Sequence, residues 1–321
     1  MKLVTLADGT RDGRLHVVSR DGSRVLPVAG AKCLQDAMEA WETLEPDLQR
    51  LAQEVEEGGA PFDSSAALAP FPRAVQWLDG SAFETHSLLL QQAWDMPVTG
   101  LPKRPLMYQG MSDRFLAPTE TAIFPSAEDG IDFEGEFGVI LGEVPMGTSA
   151  KDALQYVRLI VLINDWSLRA LGPIEMATGF GWLQCKPACS VAPFAVSPDE
   201  LGEAWRDGRV CLPLTIHRNG TLFGQANGQE MSFSFGDLIA HAAYSRDLPA
   251  GTILGSGTVA NQNYGEVGSS CIAERRAIEQ IESGEGTTPF LTDGDVVTME
   301  AHLPTGGSVF GQIAQEVSTR S

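Results

Sequence analysis

Apolar and polar residues alternate through positions 1–28, interrupted at Asp8-Gly9, Asp12-Gly13 and Asp21-Gly22. This is the pattern of short strands joined by tight hairpin turns: strand side chains alternate faces, and Asp-Gly readily adopts the positive backbone angles of a two-residue turn. Between 34 and 57 the period changes. Leu34, Met38, Trp41, Leu44, Leu48, Leu51 and Val55 return every three or four residues, as on one face of a helix, with Gly58, Gly59 and Pro61 closing the run. Pro46 marks a break or a new start within it. Residues 61–72 are small, Pro-containing and irregular, and read as a linker. Helical spacing resumes over 81–94. After Pro105 strand-like runs dominate, among them FGVILG, PFAVS, VCLPLTIHRNG, TILGSGTV and GDVVTMEAH, separated by Gly, Pro, Asp and Asn. Helical patterns at 150–156 and 234–245 interrupt them. Many short strands and few helices fit a sandwich, a barrel or a rolled sheet better than a doubly wound α/β fold. The expectation is a mainly β fold with some α, with a small N-terminal α/β domain and its linker over 1–72 and the main body over 73–321.

Composition narrows the function classes. At 321 residues the chain exceeds the usual single-domain length, which suits one large domain with an appendage. Its 42 acidic against 22 basic residues leave a formal charge of -20. Such a chain repels phosphate backbones, and no basic stripe interleaved with aromatics offsets the charge, so nucleic-acid binding is not expected. The first residues lack the apolar segment of a signal peptide, and no apolar run approaches the ~18 residues of a membrane span. No membrane association and a cytoplasmic location are therefore expected. Cys33, Cys185, Cys189, Cys211 and Cys271 are odd in number in a long chain, which argues against a disulfide framework. Cys185 and Cys189 are misspaced for a C-x-x-C zinc half-site, so the thiols read as small core residues.

Two segments carry candidate chemistry. In residues 131–139 the apolar Ile131, Phe133, Phe137 and Val139 share one parity, while Asp132, Glu134 and Glu136 share the other. As a strand, this puts three acids on one face. Carboxylates so placed repel one another and require either full solvation or a cation. Residues 157–163 form an apolar run suited to a central buried strand, and it ends in Asn164-Asp165. Asp165 can be an N-cap for the next turn or a costly buried carboxylate in need of a partner. Taken together, Glu134, Glu136 and Asp165 supply the hard oxygen ligands that Mg2+ or Mn2+ prefers, with Ca2+ possible.

On these residues the chain resembles the fumarylacetoacetate hydrolase family, over a stretch from about Gln76 to the C-terminus. Asp132-Phe133-Glu134-Gly135-Glu136 is similar to the family's E-x-E metal strand, and Asn164-Asp165-Trp166-Ser167-Leu168-Arg169 to its N-D-x-[ST]-x-R segment. The resemblance implies a rolled, barrel-like β catalytic domain, a homodimer, and Glu134, Glu136 and Asp165 as metal ligands. It also implies an active-site lysine at Lys186 and a glycine loop at Gly257 and Thr258 that holds a substrate carboxylate. Gln109 and Arg169 become further substrate contacts by the same resemblance. His86, in Phe83-Glu84-Thr85-His86, resembles a general-base histidine on a lid. A surface lysine, an ordinary glycine turn and a structural histidine are the alternative readings of those positions. The family's glutamate three residues after the histidine is Leu89 here, and Glu274 is expected to replace it from another strand. A fourth aspartate and a following histidine, present in the fumarylacetoacetate-cleaving members, are sought near Tyr108-Gln109-Gly110 and are absent there; Leu116 and Gly172 depart from the family as well. This favours the acylpyruvate hydrolase-like branch.

The activity so implied is metal-dependent hydrolysis of a C–C bond in an acylpyruvate or fumarylacetoacetate-like diketo acid, of the kind met in aromatic catabolism. Isomerisation, hydration or decarboxylation of a 2-oxo acid would use the same stabilised enolate. A catalytically idle, metabolite-binding member of the fold is the rival from another class.

Overall fold

The computed structural model describes residues 1–93 and 104–320. The expected helix over 81–94 therefore has its last position, Trp94, outside the described residues. The chain opens with β1 (Lys2–Leu6), β2 (Arg14–Val18) and β3 (Arg24–Pro27), paired antiparallel as the Asp-Gly turns require. Helices α1 (Leu34–Glu39) and α2 (Trp41–Gly58) follow, then β4 (Ala60–Pro61). The helical run breaks at Ala40, whose φ of -108° and ψ of 18° are not helical, and Pro46 lies inside α2. Next come β5 (Gln76–Ser81), α3 (Glu84–Ala93), β6 (Leu106–Gln109), β7 (Ala122–Phe124), β8 (Ile131–Asp132) and β9 (Gly135–Leu141). After α4 (Ala150–Ala153) lie β10 (Val157–Asn164), β11 (Ser167–Leu168), α5 (Gly172–Thr178), β12 (Ser190–Val191), β13 (Ala195–Val196), β14 (Trp205–Arg206) and β15 (Arg209–Val210). The chain then forms β16 (Pro213–Arg218), β17 (Thr221–Asn227), α6 (Phe235–Ala242), β18 (Thr252–Gly255), α7 (Tyr264–Val267), α8 (Ile272–Ser283), β19 (Val296–Ala301) and β20 (Ile313–Thr319).

The large sheet runs β4-β3-β2-β1-β13-β10-β9-β18-β5-β6, and the smaller one β17-β16-β19-β20-β7. The fold is mixed and mostly sheet, with the N-terminal strands continuing the large sheet through β1 against β13. Strands β9 and β10 sit at the centre, and all but Arg158 of their residues are buried, as a continuous apolar run predicts for strands covered on both faces. Phe137, Val139, Ile160 and Leu162 pack into a core shared with Leu214, Ile216, Val297 and Met299 of the smaller sheet. The opposite parity, Ile140, Leu159, Val161 and Ile163, packs with Trp77 and with Leu34, Trp41 and Leu48 of α1 and α2. Glu136 and Asp165 belong to this second parity, as does Asp79 beyond Trp77. Among the described residues no helix is long and apolar enough to cross a membrane.

Candidate active site

The 131–139 segment is not one strand with a solvated acidic face. It breaks after Asp132, Glu134 forms an isolated bridge to Cys271, and β9 begins at Gly135. Asp132 and Glu136 are fully buried and Glu134 is 5% exposed. Three acids thus leave one segment toward different neighbours. Burial of a carboxylate is costly without a partner, so each acid can be judged by its contacts.

Glu134 is fully paired: Arg169 donates from Nη2 to its Oε1 at 2.6 Å, and the Lys186 ammonium donates to its Oε2 at 2.8 Å. Burial opposes ionisation there, but Lys186 and Arg169 outweigh it and hold the Glu134 carboxyl below the usual carboxylate range. Lys186 also reaches Asp165 Oδ2 at 2.6 Å and Ser167 Oγ at 2.8 Å. Burial acts against the ammonium, and Asp165 and Glu134 overcome it, so Lys186 stays charged with a raised pKa.

Glu136 is the opposite case. Among the described residues no N–H or hydroxyl group donates to either of its buried oxygens, and its side-chain neighbour is the Asp79 carboxyl, with which it can share only a retained proton. One ligand atom from each of Asp79, Glu136 and Asp165 can be chosen so that all lie within 4.8 Å of one another. Burial first, then the charges of Asp79, Asp165 and Glu134, push the Glu136 carboxyl well above its ordinary range. Asp79 is raised by burial and by Asp165. Asp165 is raised by burial against the pull of Lys186. The three stand in a row across the large sheet: Asp165 just beyond β10, Glu136 on β9 opposite Ile163, and Asp79 on β5. Strand β18 separates β9 from β5, and it crosses the row at Gly255. A Cβ there would stand 2.4 Å from Asp79 Oδ1 and 2.9 Å from Glu136 Oε2. A glycine is what leaves room for the carboxylates to converge. The donor set is all hard oxygen, which fits Mg2+, Mn2+ or Ca2+ and not zinc.

Asp79 was not among the residues expected to act, yet the sequence carried a signal for it: it precedes His86 by seven residues, an aspartate with a following histidine upstream of the place where one was sought. That place yields Tyr108 instead. Tyr108 pairs with Asp79 across β5 and β6 and donates to Asp165 Oδ2 at 2.8 Å. Gln109 pairs with Leu78, so it projects to the other face of the sheet, away from the acidic row. Cys189, read from sequence as a core thiol, is buried and donates to Asp165 Oδ1 at 2.9 Å.

His86, on α3, lies 2.8 Å through Nδ1 from Glu274 Oε2. Glu274 comes from helix α8, not from a strand as expected. Leu89 is buried against Ala277 and Ile278 of α8, so it docks the two helices together. Leu116 is a core residue. The Gly257 amide donates to Asp79 Oδ1 at 3.1 Å, with Gly257 at φ +75° and no room for a side chain beside the Gly80 carbonyl. Thr258 follows it and is buried. Arg169 is spent on Asp132 and Glu134, a strut between acids in place of the expected substrate contact. Near the ammonium, Tyr108 and Trp182 pack with ring centroids 5.0 Å apart, and Lys186 Nζ lies 5.4 and 5.6 Å from their centres. Glu175 of α5 accepts from the amides of Leu183, Gln184 and Cys185 at 2.8–3.0 Å, which fixes the approach to Lys186.

The family model described as fumarylacetoacetate (FAA) hydrolase C-terminal matches residues 76–318, and fumarylacetoacetase N-terminal domain 2 matches residues 1–73. The chain belongs to the fumarylacetoacetate hydrolase family. It is 29% identical over 161 residues to 2,4-didehydro-3-deoxy-L-rhamnonate hydrolase of Sphingomonas sp. (strain SKA58), covering 49% of this chain and 54% of that protein. Over 161 residues it is 27% identical to the mitochondrial oxaloacetate tautomerase Fahd2a of Rattus norvegicus, covering 49% of each. The chain spans about half the length of the curated relatives it matches. Among solved structures, maleylpyruvate hydrolase from Sphingobium sp. SYK-6 in complex with manganese(II) ion and pyruvate superposes with a TM-score of 0.67 at 17% identity, covering 100% of both chains. At that identity the shared feature is the fold.

Proposed function

We propose that this protein is a divalent-metal-dependent hydrolase that cleaves a C–C bond in an acylpyruvate-like diketo acid. The observation that carries the reading is Glu136, whose two buried oxygens meet no N–H or hydroxyl donor among the described residues and converge with the carboxylates of Asp79 and Asp165. Asp79, Glu136 and Asp165 would hold the ion, with Glu134 beside them. The manganese and pyruvate bound to the Sphingobium enzyme support the same combination of ion and 2-oxo acid. When bound, a divalent ion supplies Lewis acidity toward the 2-oxo group and the enolate charge that develops as the bond breaks.

The protein's own residues supply the rest. Glu274 holds His86 through Nδ1, which leaves Nε2 to take a proton from water. The hydroxide adds to the distal carbonyl, and the C–C bond breaks with its electron pair going to the pyruvate fragment as an enolate while the distal fragment leaves as a carboxylic acid. The proton that His86 took from water is returned to the enolate carbon, which restores the imidazole. Lys186 stays charged and offsets the developing negative charge. Thr258 and the glycine loop beside Asp79 are the candidates for gripping the substrate carboxylate.

A second reading, keto-enol tautomerisation, is favoured by the name of the rat relative and needs only proton transfer within the same enolate. The two separate by products. Acylpyruvates and oxaloacetate are incubated with Mg2+, with Mn2+ and with EDTA, and followed by NMR. Pyruvate plus a second acid signals hydrolysis, unchanged mass signals tautomerisation, and CO2 signals decarboxylation. Turnover that survives exhaustive chelation would overturn the metal reading, and no turnover on any substrate would favour an idle binding protein.

A further inference from the structure

Asp132 is fully buried and lies outside the row of acids that converge. Its two oxygens accept three hydrogen bonds. Oδ1 accepts from the Ile272 amide at 2.7 Å, and Oδ2 accepts from the Ala273 amide at 2.9 Å and from Arg169 Nε at 2.8 Å. Ile272 and Ala273 are the first residues of the twelve-residue α8. The carboxylate therefore satisfies two of the amides that a helix start leaves free, and it faces the positive end of the helix dipole. The helix's own N-cap, Cys271, offers Glu274 N only a thiol sulfur at 3.3 Å, a weak acceptor. Asp132 is the strong cap, supplied from another part of the chain.

What this cap holds is the helix that carries Glu274, the next residue along and the partner of His86. The other contact of Asp132, Arg169, reaches Glu134 at 2.6 Å, and Glu134 is joined through Lys186 to Asp165. One carboxylate thus ties the helix bearing the histidine's partner to the acids at the end of β10. We propose that Asp132 is a positioning residue, which sets α8, and through Glu274 the imidazole of His86, against the acidic row where substrate binds. This rests on the reading of His86 as the base.

The test is Asp132→Asn, which keeps the side-chain size but removes the charge and turns an amide toward one of the donors. The expected result is a folded protein whose kcat falls about 100-fold, the order reached when a reacting group is displaced by about an ångström. KM and the Mn2+ dissociation constant stay within about threefold, since the acids of the row are untouched, and the pH-rate limb assigned to His86 moves. A readout independent of turnover comes from 15N-histidine NMR, where the Nδ1 resonance of His86, assigned by its loss in His86→Ala, shifts toward that of a histidine without a carboxylate partner. Wild-type kcat together with an unchanged His86 resonance overturns the proposal. So does joint loss of Mn2+ binding and kcat, which would make Asp132 a support of the acids alone. Should the single variant not fold, Cys271→Ser gives the same helix a stronger cap of its own, and the double variant yields the same parameters. If the wild type turns over no substrate, the hydrolase reading fails while the NMR comparison still decides the role of Asp132.

Discussion

An ionised Glu136 would be a buried charge with no N–H donor beside it among the described residues, which favours retention of protons in the acidic row of the metal-free protein. Asp79, Glu136 and Asp165 all have folded-state pKa values raised above those of the unfolded chain. The folded state then binds more protons than the unfolded one, so stability is full below the ordinary carboxylate range and is lost as pH rises through the raised values. Without metal, the melting temperature should fall as pH rises above the ordinary carboxylate range; with saturating Mn2+ the fall should flatten, as a ligand that binds only the folded state adds stability. Scanning fluorimetry in EDTA and in Mn2+ checks this, and a flat profile in EDTA would count against a protonated row. For the same reason Glu136→Gln should raise the melting temperature of the metal-free protein by about 1–2 °C, equivalent to about 1 kcal/mol in a chain of this length, while abolishing metal-dependent turnover. An unaltered or lowered value would indicate that Glu136 finds a partner in solution. At this scale the sequence was partly legible. Glu136 and Asp165 stood out as acids beside apolar runs, whereas Asp79 was passed over because the missing aspartate was sought some thirty positions downstream.

At the scale of elements, the cluster exists because β18 contributes no side chain where it passes between β9 and β5. Gly255→Ala would drive a methyl to 2.4 Å from Asp79 Oδ1, a separation that backbone or carboxylate must relieve. We expect Mn2+ affinity to drop at least about fivefold, with the protein still folded, because overpacking one methyl costs about 1–3 kcal/mol; titration calorimetry gives the number. An affinity equal to wild type would mean that the carboxylates move aside freely. The strands β9 and β10 were evident from their continuous apolar runs. The break after Asp132 was not, since parity along a sequence assumes an unbroken strand. Helix α8 was also missed, so Glu274, expected from a strand, was assigned to the wrong kind of element, although Ile272, Ala273, Ala277 and Ile278 are the buried face of that helix.

At the scale of the molecule, the N-terminal strands do not form a separate sheet. They extend the catalytic one through Lys2 and Leu3 against Val196 and Ala195, and α1 and α2 pack on the face whose parity carries the acids. Beside the site, Ile174, Met176, Phe180 and Leu183 are exposed, Phe180 almost completely at 98%. Exposed apolar side chains grouped along one segment suit an interface, and we propose the homodimer expected of the family. Sedimentation velocity should give about twice 34.4 kDa, and Phe180→Glu with Leu183→Glu should shift the protein toward monomer. A monomeric wild type at micromolar concentration would remove the dimer.

Local chemistry repeats along a chain, and for that reason the sequence alone determined the strand-rich class, the hairpins at Asp-Gly, the central apolar strands and the two acids that end them. Arg169 looked like a substrate contact and is a strut between Asp132 and Glu134. Gln109 looked like a site residue, and strand pairing presents Tyr108 in its place. Which acids are neutralised and which are left open depends on contacts between residues far apart in the chain, such as Lys186 with Glu134 and His86 with Glu274. Only the tertiary structure decides these, because burial removes the solvent that would otherwise satisfy each carboxylate and, among the described residues, leaves Glu136 without an N–H or hydroxyl donor.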